Sequence, residues 1–221
     1  MKTLGFNPRR ADLSRCAFRD YYETQHVPLA LRYIRVFTKY VRNYVVHGEP
    51  QEPRYDCLGE FWFDGPDAIA GIRAWLASPE GQVLHDDEAR FMDRARMSSC
   101  AVGERLLFGP ARAVEPGMTR KHGLAVRRMT SVPPAVFEAR MIGFGEELVR
   151  RNEHSIVRAT LDLAVDPPAG DLPLHALISL WPVAPDATLD IPAIDAAIGN
   201  LTSLTFDAYE TPPGALRGGD S

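Results

Sequence analysis

The sequence predicts an α+β protein built from two βαββαβ halves, and three observations predict it. The chain has 221 residues, enough for two domains of about 100 residues each. A strand-helix-strand-strand-helix-strand order can be read twice along it. Short residue echoes also recur, in the same order, in both halves.

The first strand is expected at Lys2–Asn7, ended by Pro8-Arg9-Arg10. A helix follows, capped by Asp12 or Ser14 and running to about His26. Pro28 lacks a backbone donor and disfavours the helical region for Val27, so the helix is expected to stop there. The β-rich run Val36–Val46 is the second strand, closed by Gly48, Pro50 and Pro53. Tyr55–Asp64 is the third. Pro66 to about Arg94 is amphipathic and is broken by Ser78-Pro79-Glu80-Gly81, with Pro79 starting a new turn. Cys100–Phe108 is the fourth strand, and Gly109 to Gly117 reads as a linker. This is the order of the split βαβ, or ferredoxin-like, motif.

The second half reads as a strand at Gly123–Met129, a helix at Pro134–Arg151, strands at Ser155–Val165 and His175–Val183, a helix at Ile191–Leu204 and a strand at Thr205–Glu210. Trp62 precedes Pro66-Asp67-Ala68 by the spacing that separates Trp181 from Pro185-Asp186-Ala187. Val41-Arg42 echoes Val157-Arg158, and Phe18 follows Arg9 by nine residues as Phe137 follows Arg128. Several echoes in one order point to a tandem duplication. The expected domains are 1–110, carrying the site, and 118–213, a degenerate repeat, followed by a flexible tail at 214–221.

A four-stranded sheet with helices on one face must bury its other face. Two such sheets bury each other, which predicts a pseudo-dimeric α/β barrel formed within one chain. A monomeric pseudo-dimer or a homodimer is therefore expected.

Composition limits the function. The chain is 45% hydrophobic and 24% charged, ordinary for a globular protein with a core. With 25 Lys and Arg against 29 Asp and Glu it has a net charge of −4, so it lacks the basic surplus that nucleic acid requires. No apolar run follows the first charged residues as in a secretory signal, and none has the length of a membrane span. Cys16, Cys57 and Cys100 are odd in number and widely spaced, which predicts reduced thiols and a cytoplasmic location. Neither they nor the six histidines have the spacing of a metal site, so no metal is expected.

His26 is the leading candidate for acid–base chemistry, since imidazole titrates near neutral pH. Tyr22 and Phe18 share its helix face at spacings of four. On the third strand Glu60 and Trp62 share one face, while Cys57, Gly59, Phe61 and Phe63 share the other and suit packing against helices. Tyr40, Arg42 and Tyr44 share a face of the second strand. The expected site is catalytic His26, Tyr22 and Glu60, with Tyr40, Arg42, Tyr44, Trp62 and Asp87 contacting substrate and Arg42 pairing Glu60.

The first half resembles the EthD family. The resemblance is carried by Phe18-Arg-Asp-Tyr21-Tyr22-Glu-Thr-Gln-His26-Val-Pro28-Leu, by Glu60-Phe61-Trp62-Phe63, and by Ser78-Pro79-Glu80 with Asp87-Glu88-Ala-Arg-Phe91. It implies a dimeric α/β barrel fold and a site centred on His26, with an acidic residue of the Asp87-Glu88 pair bracing the first helix. In the second half, counting eight from Phe137 lands on Gly145, so the histidine position is lost there.

The family is functionally mixed and requires no organic cofactor. The resulting expectation is a cofactor-independent lyase or isomerase acting on an aromatic, lactone or polyketide-like small molecule. The rivals are an α/β-barrel monooxygenase of small aromatic molecules, without cofactor or with haem, and a non-enzymatic small-molecule binding protein.

Overall fold

In the computed structural model, which describes all residues except 112, 113, 116, 166–171 and 217–221, the chain is a mixed α+β fold, as its sequence predicts. The eight strands are β1 (Lys2–Asn7), β2 (Phe37–Glu49), β3 (Cys57–Phe63), β4 (Ser98–Phe108), β5 (Met118–Arg128), β6 (Ile156–Ala164), β7 (Ala176–Pro182) and β8 (Gly199–Glu210). They are hydrogen-bonded in the order β1-β3-β2-β8-β5-β7-β6-β4 as a closed antiparallel barrel. Closure removes the unpaired strand edges that an open sheet leaves exposed. No helix is long and apolar enough to cross a membrane.

Two compact units share the chain. One comprises Met1–Tyr44, Arg54–Ser99 and Tyr209 onward, and the other Val45–Pro53 and Cys100–Ala208.

In the first unit the helical run is longer than the sequence suggests. Ser14 caps α1 (Arg15–Tyr21) by accepting a hydrogen bond from Ala17 N at 3.1 Å. A π-helical turn follows at Tyr22–His26 and leads directly into α2 (Val27–Tyr33). Pro28 therefore does not end the helix. It withholds one donor, but Val27 N–H reaches back to Tyr22 O and the Thr24 hydroxyl takes Asp20 O at 2.6 Å. The widened turn absorbs the missing bond and leaves Pro28 in the first turn of α2, where proline is tolerated.

The amphipathic stretch is broken where the glycine and proline predicted, between α3 (Pro66–Leu76) and α4 (Gln82–Phe91). A Cβ at Gly81 would meet the Trp75 carbonyl oxygen at 2.4 Å, so only glycine allows this turn. The helices cover one face of β1, β3 and β2 with a core that includes Phe18, Tyr22, Tyr40, Tyr44, Leu84 and Phe91. Pro213–Leu216 forms a helical turn, α6, whose Leu216 is buried in this core. The start of the expected tail is therefore ordered, and residues 217–221 lie outside the described ones.

In the second unit α5 (Pro134–Asn152) packs Phe137, Met141 and Leu148 onto Leu124, Ile178 and Leu180. The helix expected at Ile191–Leu204 does not form. Gly199–Glu210 is strand, and residues 188–195 run without regular structure, held by Asn152, which exchanges side-chain bonds with Asp190 N and O at 2.8 Å. Ile191, Ile194, Ile198 and Leu201 still pack on the core. Their apolar spacing thus reflects burial by an irregular segment rather than a helix face. Gly145 lies where a Cβ would approach Leu107 Cδ1 to 2.8 Å, so Leu107 fills the place of the missing histidine.

Most of the basic residues of β5 are engaged within the unit, while Arg127 is exposed. Lys121 is buried, Arg120 pairs with Asp207 at 2.9 Å and Arg128 donates to the Val132 carbonyl. Arg9 makes the same bond to the Leu13 carbonyl in the first unit.

Met141 is buried between α5 and the sheet. Replacing it with alanine is expected to cost about 2–5 kcal/mol through lost contact and the cavity left behind. Urea denaturation followed by circular dichroism measures this loss.

Candidate functional site

The π-helical turn buries Tyr22 and His26 together, and α4 brings Asp87 to them from 61 residues away in sequence. His26 Nδ1 lies 2.8 Å from Asp87 Oδ2, and Tyr21 Oη donates to Asp87 Oδ1 at 2.7 Å. His26 is only 6% exposed. Its ring meets Tyr22 edge-on at 5.1 Å and Phe91 at 5.1 Å between centroids. Both oxygens of Asp87 are thus engaged by helix α1 and the π turn, and the imidazole is held between two aromatic rings. With Nδ1 committed to the carboxylate, Nε2 is the nitrogen left to exchange a proton.

Asp87 acts as the brace that the Asp-Glu-x-x-Phe spacing implied. Burial pushes its carboxyl up, but the hydrogen bonds from His26 and Tyr21 outweigh burial and hold it below the ordinary value. Tyr21 is pushed up in turn, by burial and by its bond to Asp87.

Behind the histidine lies a buried tyrosine pair. Tyr22 Oη lies 3.1 Å from Tyr40 Oη and accepts from Asn7 Nδ2 at 3.2 Å. Both phenols are raised by burial and are neutral hydrogen-bonding groups at physiological pH. Tyr40 stacks on Phe61 at 4.8 Å and 17°, so a ring contact, the hydroxyl bond and this stack link His26, Tyr22, Tyr40 and Phe61 in turn. Phe61 is the one partly exposed residue of β3.

Arg42 has a different partner from the one expected. Its guanidinium forms a two-pronged pair with Glu23, Nε to Oε1 at 3.0 Å and Nη2 to Oε2 at 2.6 Å. It also donates to Thr211 Oγ1 and to Tyr40 O. Tyr44 Oη donates to Glu23 Oε1 at 2.6 Å. Burial works against the charged guanidinium, but the paired carboxylate keeps it charged and raises its pKa.

Glu60 and Trp62 stand on the opposite face of the sheet, and this corrects the expected site. The register pairs Val41 with Glu60 and Lys39 with Trp62, while Tyr40 faces Phe61 and Tyr44 faces Cys57. Tyr40, Arg42 and Tyr44 therefore share the helix-covered face with His26. Glu60 is bonded to Lys2 Nζ at 2.7 Å and to Asn43 Nδ2 at 2.8 Å. Trp62 lies under Lys2 and Lys39. A single strand's alternation cannot say which face of its neighbour it shares, because a slip of one residue exchanges the faces.

The eight candidates thus divide into His26, Tyr22, Tyr40, Arg42, Tyr44 and Asp87 under the helices, and Glu60 with Trp62 on the far face. Sequence reading missed Glu23, Tyr21 and Asn7 as members of the first group. Glu23 had a signal, since a buried Arg42 needs a carboxylate and Glu23 follows Tyr22 directly. Tyr21 and Asn7 had none that does not require the tertiary fold.

The family model described as the EthD domain matches residues 10–95, the stretch that holds His26 and Asp87. No curated protein matches the chain. Among solved structures, an anthrone oxidase-like protein superposes with a TM-score of 0.61 at 8% identity, covering 96% of this chain and 93% of that one. A protein named as a monooxygenase from Fusobacterium nucleatum subsp. nucleatum gives 0.54 at 7% identity, covering 94% and 90%. At these identities the likeness concerns the fold.

Because Asp87 titrates lower in the folded chain than in the unfolded one, it stabilises the fold above its unfolded pKa of ~3.9, and that contribution is lost as pH falls through the folded value. Asp87→Asn is expected to be less stable than the parent by about 1–3 kcal/mol at pH 7. The gap is expected to close below about pH 4. Urea melts of both proteins across an acid series test this.

Proposed function

With an EthD domain over residues 10–95 as the premise, we propose that the first unit catalyses proton transfer on a small carbonyl-bearing molecule of aromatic, lactone or polyketide type, with His26 as general acid and base. The observation that carries this reading is the 2.8 Å contact between His26 Nδ1 and Asp87 Oδ2. Asp87 fixes the imidazole's tautomer and stabilises the imidazolium that forms when Nε2 takes a proton.

In the reaction, Nε2 removes a proton from a carbon acidified by a neighbouring carbonyl, leaving an enolate. Returning the proton to a different carbon completes an isomerisation. Delivering it to a departing hydroxyl completes a dehydration. The chain supplies both steps from its own side chains, which makes the lyase or isomerase reading independent of an organic cofactor. Tyr22 and Tyr40 are neutral phenols and suit a positioning role toward a substrate carbonyl. The rings of Phe61, Tyr40 and Phe91 favour a planar, largely apolar substrate. The paired Arg42, Glu23 and Tyr44 set the helix on the sheet and so fix the height of the π turn.

A second reading is favoured by the two fold neighbours, which are named anthrone oxidase-like and monooxygenase. The same proton abstraction produces a carbanion that dioxygen can oxidise. A CH₂ next to the carbonyl then becomes a C=O, and the second oxygen atom leaves as water. His26 keeps its role as base in both readings.

His26→Ala is expected to lower kcat by at least about 100-fold, and a loss below about tenfold overturns the assignment. The measurement is mass spectrometry of aromatic, lactone and polyketide-like compounds incubated with parent and variant, in air and without oxygen. A product of unchanged mass, or lighter by one water, formed equally in both atmospheres supports the isomerase or lyase. A product that gains oxygen only in air moves the assignment to the oxygenase. Compounds retained without conversion by both proteins identify a binding protein instead.

A further inference from the structure

The helix-covered face of the first unit is sealed. His26, Tyr22, Tyr40, Arg42 and Asp87 are all buried, so a small molecule reaches them only when a covering segment moves. The helices above them are held by the site's own bonds, Glu23 on Arg42 and Asp87 on Tyr21 and His26, and by the stacked rings of Phe18 and Phe91. Moving those helices dismantles the site.

The segment after β8 lies on the same face with lighter ties. Tyr209 meets the Tyr44 ring at 5.8 Å, and Glu210 ends the strand with its carboxylate 3.3 Å from Lys39 Nζ. Thr211 then donates its N–H to the Tyr40 carbonyl at 2.9 Å and accepts from Arg42 Nη1 on its hydroxyl. Residues 212–215, Pro-Pro-Gly-Ala, are exposed and turn back on themselves through Ala215 N–H to Pro212 O at 2.9 Å. Leu216 then re-enters the core and joins the cluster of Phe18, Tyr22, Tyr40 and Tyr44. Two buried anchors thus flank an exposed turn.

The bonds around Arg42 allow this segment to leave without disturbing what lies beneath it. Nε and Nη2 grip Glu23 of the π turn, and Nη1 reaches the Tyr40 carbonyl at 3.3 Å as well as Thr211. When Thr211 departs, Nη1 keeps the Tyr40 carbonyl and that carbonyl keeps Nη1. No buried charge or buried donor on the sheet is stranded, which is the condition for a cheap local opening. The Glu23 pair, and with it the height of His26, is retained.

We propose that residues 211–216 are a strap that closes the helix-side face at rest and lifts to admit substrate, with Thr211 as its catch and Leu216 as its plug. The proposal rests on the reading of that face as the catalytic site, and adds that the apparent affinity for substrate is set by the fraction of molecules whose strap is open.

Cys57 reports the opening. It is buried in the same cluster as Leu216, and its register partner on β2 is Tyr44, beside Tyr209. Cys100, buried in the second unit, reports global unfolding, while the exposed Cys16 reacts at once. The whole protein is treated with N-ethylmaleimide and the labelling of each cysteine is followed by peptide mass spectrometry. Where reclosing is faster than labelling, the rate follows the open population. Leu216→Ala is expected to speed Cys57 labelling by about 10- to 100-fold, and Thr211→Val by about three- to tenfold, with Cys100 unchanged in both. Thr211→Val keeps the side chain's shape and leaves no new cavity, so it is also titrated with acetophenone, a planar aromatic ketone, which it is expected to bind about three- to tenfold more tightly than the parent does.

An unchanged Cys57 rate in both variants overturns the strap, as does an equal acceleration of Cys57 and Cys100. Faster Cys57 labelling with unchanged ketone affinity overturns its gating of the site. Faster labelling and tighter binding without turnover of any compound keep the strap and overturn the acid–base reading of His26 alone. Should Leu216→Ala not fold, Thr211→Val decides.

Discussion

Strands β1, β3 and most of β2 are buried on both faces, and that constraint governs where the chemistry of the first unit can stand. A strand with one wet face can leave its polar residues to water. Here Lys2, Lys39, Asn43 and Glu60 on one face of β1–β3–β2, and Tyr22, Tyr40 and Arg42 on or against the other, are all less than 9% exposed. Every charge must therefore meet an opposite charge in place, since an unpaired buried charge is costly. The pairs Lys2–Glu60, Lys39–Glu210 and Arg42–Glu23 answer this demand. Because alternation sends neighbours on one strand to opposite faces, the same demand sorts the polar residues into two non-mixing sets. His26 and Asp87 belong to the helix-side set.

That sorting explains which parts of the molecule were legible in the sequence. Period-two alternation on β3 placed Glu60 with Trp62 and opposed them to Phe61 and Phe63, as observed. What it could not give was register between strands. Arg42 was expected to meet Glu60 because it lies on the neighbouring strand, which says nothing of the face it shares. In the structure Arg158 occupies the place of Lys39, three residues away, since each pairs with its strand neighbour's tryptophan. An odd offset exchanges faces, and Arg42, whose register partner is Gly59 rather than Glu60, meets Glu23 instead. The helices show the converse. Ser14 and Pro79 are local signals with local effects and were readable. Pro28 is a local signal overridden by the π turn, whose extra width depends on Thr24 and on packing against the sheet.

The absent second helix of the later half has the same origin. Ile191, Ile194, Ile198 and Leu201 carry helical spacing, but the segment lies between Asp190, fastened to Asn152, and β8 beginning at Gly199. Residues anchored at both ends over so short a span bury their side chains without closing a helical ladder. In the first half the equivalent region runs from Pro66 to Phe91 as two helices, and only this length brings Asp87 over His26. The difference in length between the two regions is thus what separates a half with the His26–Asp87 pair from one without it.

The His26–Asp87 pair is also conditioned by what surrounds it. Asp87 is largely buried beside Phe91 and Tyr21, yet its pKa lies below the ordinary value, because two donors converge on its two oxygens. An Asp that stays ionised in an aromatic enclosure is a strong electrostatic support for a neighbouring imidazolium. Its orientation is already set by Tyr21. A histidine on a helix end without this partner would be a core residue bonded to a carbonyl. The carboxylate supplied by α4, itself braced by a tyrosine of α1, is what commits Nδ1 of the motif's histidine and leaves Nε2 as its other nitrogen.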